Sequence, residues 1–219
     1  MFTRKKQPGL ANPNSENRPY SSGFKEPVLH RVMASEAVLL LTVMVCTVMV
    51  WNNNVNVYGI SYFGVIAPTL PIIAIGFLSG SVMLVMAARM FPDTAPYRLV
   101  KWTLRIVSVG IVLLLLTPYT VDTFFNWTHM TLGAIIFIVE LYTGGVLYFR
   151  HLHDRVSKYA LAVQFTGGLL AMLSLPNNML NLMLEGELIF QLGFMILLNH
   201  LLRVEPSMAS EPLPPQIEG

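Results

Sequence analysis

Between residues 37 and 88 the chain carries no charged side chain. A run of that length is too long for one membrane helix, and Asn52, Asn53, Asn54, Asn56, Gly59, Gly64 and Pro68 interrupt it. It resolves into two apolar segments and a loop. About 20 apolar residues cross a hydrocarbon layer of about 30 Å as a helix, so the pattern predicts spans over 33–51 and 69–90. Two prolines and Asp93 within 91–96 end the second span. The third, over 99–119, starts among Arg98, Lys101 and Arg105, whose long stems reach back to the interface. Pro118 and Asp122 stop it and leave 121–128 as a short aromatic and polar loop. A fourth span over 129–149 is followed by a turn holding Arg150, His151, His153, Asp154, Arg155 and Lys158. A fifth covers 159–175, Pro176, Asn177, Asn178 and Asn181 break the pattern, and a sixth covers 183–202. The polar flanks, a basic tail over 1–32 and a Pro- and Glu-containing tail over 203–219, read as disordered cytoplasmic segments around one six-helix transmembrane domain over 33–202.

Composition narrows the class. Of the 219 residues 54% are hydrophobic and 12% charged, against about 25% charged in a soluble domain. The mean hydropathy is +0.58, which excludes an ordinary soluble enzyme. The single cysteine, Cys46, excludes a disulfide scaffold, and a net charge of +2 excludes nucleic acid as a partner. Charge also tests the topology, because cytoplasmic segments collect Lys and Arg. With the N-terminus inside, all 14 Lys and Arg fall on one side and the three outer loops hold none. The fold expected is therefore all-α, a polytopic integral membrane protein built as a six-transmembrane-helix bundle with both termini cytoplasmic, in a bacterial inner membrane. The outer loops carry Trp51, Tyr58, Tyr62, Phe63, Tyr119, Phe124, Phe125 and Trp127, which read as an aromatic belt. The apolar stretch 55–66, broken by two glycines, is expected to pack over the outer helix ends as a short strand or a re-entrant turn.

Polar side chains at membrane depth cost several kcal/mol and are functional hypotheses by default. Glu140 stands foremost, near the middle of the fourth span, about nine residues or roughly 14 Å from its inner end. Gln164 of the fifth span and Gln191 of the sixth are its expected partners, either as packing glue or as a titrating pocket. His129 shares a face with Glu140 but lies about 16 Å away along the axis, too far for an acid–base pair. At the outer end His129 groups with Asp122, Glu185 and Glu187 as a polar cluster for a cation or headgroup. No zinc-type spacing joins these four, so no metal is expected. Glu187 and Gln191, four apart, are placed to satisfy each other. His200 lies at the opposite depth from His129, which speaks against a haem held by two histidines. Ser79 lacks both a glycine at position 77 and a histidine at its depth, which excludes an intramembrane serine protease. Gly76 and Gly80 permit close helix packing, and Gly144 with Gly145 and Gly167 with Gly168 are expected to face each other across spans four and five.

The sequence YGISYFGVIAP over 58–68, containing Ile60 and Ser61, and NWTHM over 126–130, with His129 opening the fourth span, resemble the Frag/DRAM-type six-span proteins and their bacterial relatives. The resemblance covers roughly 33–202 and implies a role in membrane lipid organisation without settled catalytic machinery. Glu140 and the acidic start of the sixth span have no counterpart in that pattern. The function expected is a non-catalytic lipid-binding protein or an accessory, scaffolding subunit of a larger membrane complex. Its partners would be membrane lipids and a neighbouring protein or a second copy, with bound lipids and no evident cofactor. The 13 methionines suit such adaptable surfaces. Two alternatives stay open: a lipid-headgroup enzyme or proton-coupled carrier working through Glu140, and a subunit packing on a redox or pigment cofactor held by a neighbour.

Overall fold

The computed structural model describes residues 25–175 and 180–204; the expectations for 1–24, 176–179 and 205–219 lie outside the described residues. Everything described is helix or short connection, with no strand. The helices are α1 (Lys25–Met49), α2 (Asn53–Tyr58), α3 (Leu70–Met90), α4 (Tyr97–Leu116), α5 (Thr123–Leu147), α6 (Arg155–Ser174) and α7 (Met183–Arg203). A 3-10 segment, Gly59–Gly64, follows α2, and a π turn, Tyr148–Leu152, continues α5. Local chemistry sets several of these ends. Pro71 stands in the first turn of α3, where its missing N–H costs nothing. Asp122 and Asp154 cap α5 and α6 by accepting from the Phe125 and Ser157 N–H groups at 2.8 and 3.0 Å.

Two boundaries differ from the sequence expectation. The first helix begins at Lys25, inside the segment read as a tail, because Val28 and Val32 are buried in a core with Ala87, Phe91, Tyr97, Leu198 and Leu201. That contact orders two further helical turns. The segment 121–128, read as a loop, is mostly helix, because Asp122 starts α5 six residues ahead of His129.

The helices pack in sequence around a ring: α1 on α3, α3 on α4, α4 on α5, α6 on α7 and α7 back on α1, with α5 touching both α6 and α7. At one end the Lys25 ammonium donates to the Val204 carbonyl at 3.3 Å, and His200 Nε2 lies 3.0 Å from Asp154 Oδ2. The 91–96 connection with its flanking Arg89, Arg98 and Lys101 lies there too, which makes this the basic end. The other, aromatic end is covered by α2 and the 3-10 segment, whose Val55 and Phe63 are fully buried against Val43, Cys46, Ile73 and Leu184. The expected strand or re-entrant turn is thus a helical cap.

Five helices, α1, α3, α4, α5 with its π turn, and α6, are long and apolar enough to cross a membrane. Val48, Ile75, Leu116, Ile138 and Phe165 are exposed on their outer faces, and no water-facing bundle presents so continuous an apolar surface. α7 has 21 residues, but Glu185, Glu187, Gln191, Asn199 and His200 make it more polar. This is the construction of an integral membrane protein.

Candidate functional site

Midway along the bundle the polar side chains form a layer. Glu140 of α5 is 1% exposed and accepts a 3.0 Å hydrogen bond from the Gln191 amide of α7. Glu36 of α1, 6% exposed, comes within electrostatic range of it. Sequence reasoning passed over Glu36 because a helix starting at 33 placed it near the interface. Starting at Lys25 instead sets it about 11 residues or roughly 16 Å deep. Gln164 lies at similar depth, fully buried, and neither of its amide atoms has a hydrogen-bond partner. It sits against Gly144, one turn beyond Glu140, so that of the two expected partners, Gln164 or Gln191, the carboxyl takes Gln191. Ser35 donates to the Gly80 carbonyl at 2.9 Å and Ser108 to the Ser81 carbonyl at 2.8 Å, extending the layer to α1, α3 and α4.

The aromatic end is organised differently from the expected four-residue cluster. Asp122 is exposed and spent on its capping bond, and Glu185 Oε2 is buried without a partner. His129 and Glu187 are held apart because the 3-10 segment lies between their helices and takes both. The Ile60 N–H donates to Glu187 Oε2 at 2.7 Å, and Ser61 Oγ lies 2.8 Å from His129 Nε2. Glu187 therefore does not pair with Gln191. The other imidazole nitrogen, Nδ1, is 2.7 Å from the Thr117 carbonyl. Gly59, with φ of 62°, brings the chain so close to the Glu187 carboxyl that any side chain there would collide with it. Around this point Tyr58 stacks on Tyr62 and Tyr119, and Tyr119 tilts onto His129. Burial and the neighbouring Tyr58 and Tyr62 phenols push the Tyr119 hydroxyl up to about 12, so it stays neutral. The Tyr62 hydroxyl, accepting from the Asn54 and Asn52 amides at 3.2 Å each, is held below the usual phenol value.

A third feature was not anticipated. Between α3 and α4 runs a groove of about 480 Å³ walled by Leu78, Val82, Val85, Met86, Val109 and Val112. Ser81 and Ser108 also line it, and Arg89 stands at its basic end. The Ser81 hydroxyl is buried there without a partner. Neighbouring Asp93 belongs to Lys101, whose 2.7 Å bond holds the carboxyl below its ordinary range.

Small residues decide where helices touch. Gly76 and Gly80 of α3 meet Thr42 and Leu39 of α1. The expected facing of Gly144–Gly145 and Gly167–Gly168 is formed in part: Gly144 meets Gln164 and Leu161 of α6 and Gly168 meets Phe137 of α5, while Gly145 has open space beside it and Gly167 lies on the α7 backbone at Gly186 and Phe190. The α6–α7 seam had a signal in the sequence, since Gly186 and Gly193 are two helical turns apart. Among the described residues no three His, Cys, Asp or Glu side chains gather as a metal site would require. No family model, curated protein or solved structure matches the chain.

Proposed function

We propose that this is a six-span membrane protein with both termini cytoplasmic, and that it binds an acidic phospholipid in the α3–α4 groove. α7 counts as the sixth span because it is as long as α3 and packs along the whole of α6. Gln191 turns toward Glu140, Glu187 toward the cap and His200 toward Asp154. The orientation follows from the basic end, which belongs on the cytoplasmic side by the charge rule. Acidic lipids concentrate in that leaflet and attract nearby Arg and Lys.

The observation that carries the reading is the groove itself. Its walls are aliphatic along their length, its volume lies within the range of about 300–1,000 Å³ typical of ligand sites, and a cation marks only the end where a headgroup would lie. An acyl chain fits the walls and a phosphate fits Arg89. Native mass spectrometry of protein extracted in mild detergent is expected to show about one retained acidic phospholipid per chain. Arg89→Gln should cut that occupancy at least about fivefold while the protein stays monodisperse. Equal occupancy in the variant, or bare wild-type protein, would overturn the reading.

A second reading is favoured by the nearness of Glu36 to Glu140. Among the described residues neither carboxyl has an ion-pair partner, and two carboxyls in one buried layer suit the uptake and release of a proton or a small cation.

A further inference from the structure

Ser61 and His129 are 68 positions apart, yet their side chains meet at 2.8 Å, and the proton positions in that contact can be derived. A carbonyl oxygen only accepts. The Thr117 carbonyl, 2.7 Å from His129 Nδ1, therefore holds a proton on Nδ1, and in the neutral imidazole this leaves the Nε2 lone pair facing Ser61. The serine hydroxyl must then donate to Nε2. A hydroxyl donating to a neutral imidazole, whose far nitrogen is oriented by a third group, is how a serine nucleophile and its general base are arranged.

The surroundings hold this contact in place without depending on it. The cap is anchored on the α7 side by Glu187 at Ile60, internally by the Thr69 hydroxyl on the Phe63 carbonyl at 2.8 Å, and by burial of Val55 and Phe63. Ser61 and His129 are both only partly buried. They lie within the tyrosine-rich rim, the level at which aromatic side chains meet lipid headgroups and ester linkages.

We propose that Ser61 and His129 form a nucleophile–base pair acting on acyl esters at the aromatic end of the bundle, where membrane lipids present them. Ser61 Oγ attacks the ester carbonyl carbon as its proton passes to His129 Nε2. The carbonyl-to-alkoxy bond then breaks, and the leaving alcohol takes that proton, so that the acyl group remains on Ser61. Water, deprotonated by the same Nε2, attacks the acyl-serine and releases a carboxylic acid and free Ser61. Thr117 is a positioning residue, since it acts only through the imidazole. This assignment stands apart from the α3–α4 groove, which lies toward the other end, and either can fail without the other.

The test is covalent labelling of the full-length protein in lipid nanodiscs with an alkyl fluorophosphonate, followed by peptide mapping. The expected result is one adduct per chain on Ser61 and none on that peptide in Ser61→Ala. His129→Gln keeps a hydrogen-bonding group beside Ser61 but removes the base. It should fold with an unchanged melting midpoint and label at least about 100-fold more slowly, the lower end of what a positioned base contributes. Failure of the wild-type protein to label at Ser61 overturns the proposal whatever the variants do, and labelling of His129→Gln at the wild-type rate overturns the role of the imidazole. A medium-chain 4-nitrophenyl ester gives a second readout: turnover by wild type that is lost in Ser61→Ala is expected, and equal turnover by both would refute the pair.

Discussion

The α6–α7 and α3–α4 pairs are both antiparallel neighbours joined by short connections, yet one is sealed and the other is open. Along α6–α7 the residues at the seam are Gly167, Gly186 and Gly193, and each lies directly on the opposite backbone. Along α3–α4 the Val, Leu and Met side chains on the outer side line an open groove, and one 2.8 Å bond from Ser108 to the Ser81 carbonyl ties the helices at mid-depth. In lipid no hydrophobic force closes such a gap, because the tails are as apolar as the walls. Contact between membrane helices therefore needs either small residues or a polar tie. Where neither runs the full length, a groove stays open between the walls.

The contrast predicts opposite tolerance to added volume. Gly193→Leu pushes a branched side chain into the α6 backbone at Gln164, which cannot rotate away as a side chain can. Overpacking of cores costs about 1–3 kcal/mol, and a backbone obstacle belongs at or above the top of that range. Loss of the monodisperse peak on size exclusion is the expected result, and a well-behaved variant would show that the seam is looser than described. Val112→Phe adds comparable bulk inside the groove and should leave the melting midpoint within about 4 °C, while lowering the retained phospholipid. A large loss of stability there would mean that the groove is a packing surface.

The smallest effect belongs to the basic end, where α6 is joined to α7 through Asp154. Burial works against the Asp154 carboxylate, but the Ser157 N–H and hydroxyl and the nearby His200 outweigh it and hold the group at about 2, below the ordinary 3.8. A carboxyl lowered on folding stabilises the protein above its ordinary value, and the gain is lost as pH falls through the folded one. Melting midpoints should decline between about pH 4 and pH 2 in the wild type. In Asp154→Ala, with the cap already missing at a cost of about 1 kcal/mol, that part of the decline should vanish.

Long apolar runs made the helices legible in the sequence, and the basic residues made visible which helix ends lie together. The boundaries that escaped did so for identifiable reasons. Lys25 to Arg31 reads as a polar tail unless Val28 and Val32 are recognised as one face of a helix, and Phe124, Phe125 and Trp127 read as a loop unless Asp122 is recognised as a cap. Once α1 is drawn too short, Glu36 looks interfacial, and its place in the same buried layer as Glu140 is missed. The aromatic end shows a different kind of gap. His129 and Glu187 were identifiable as polar groups at one depth, but depth does not say what lies between them. Only folding of 59–64 into a 3-10 turn inserts Ile60 and Ser61 there and gives each side chain its own partner.

The bond between Lys25 and the Val204 carbonyl has a use beyond joining two helices. It makes residues 25 and 204 neighbours, so in a chain trimmed to 25–204 a short linker could join them and new ends could be opened elsewhere, for example in the 117–122 connection. Such rearrangements are tolerated when the joined positions adjoin. A permuted protein that still assembles would show that the order in which the helices enter the membrane is not what determines their arrangement.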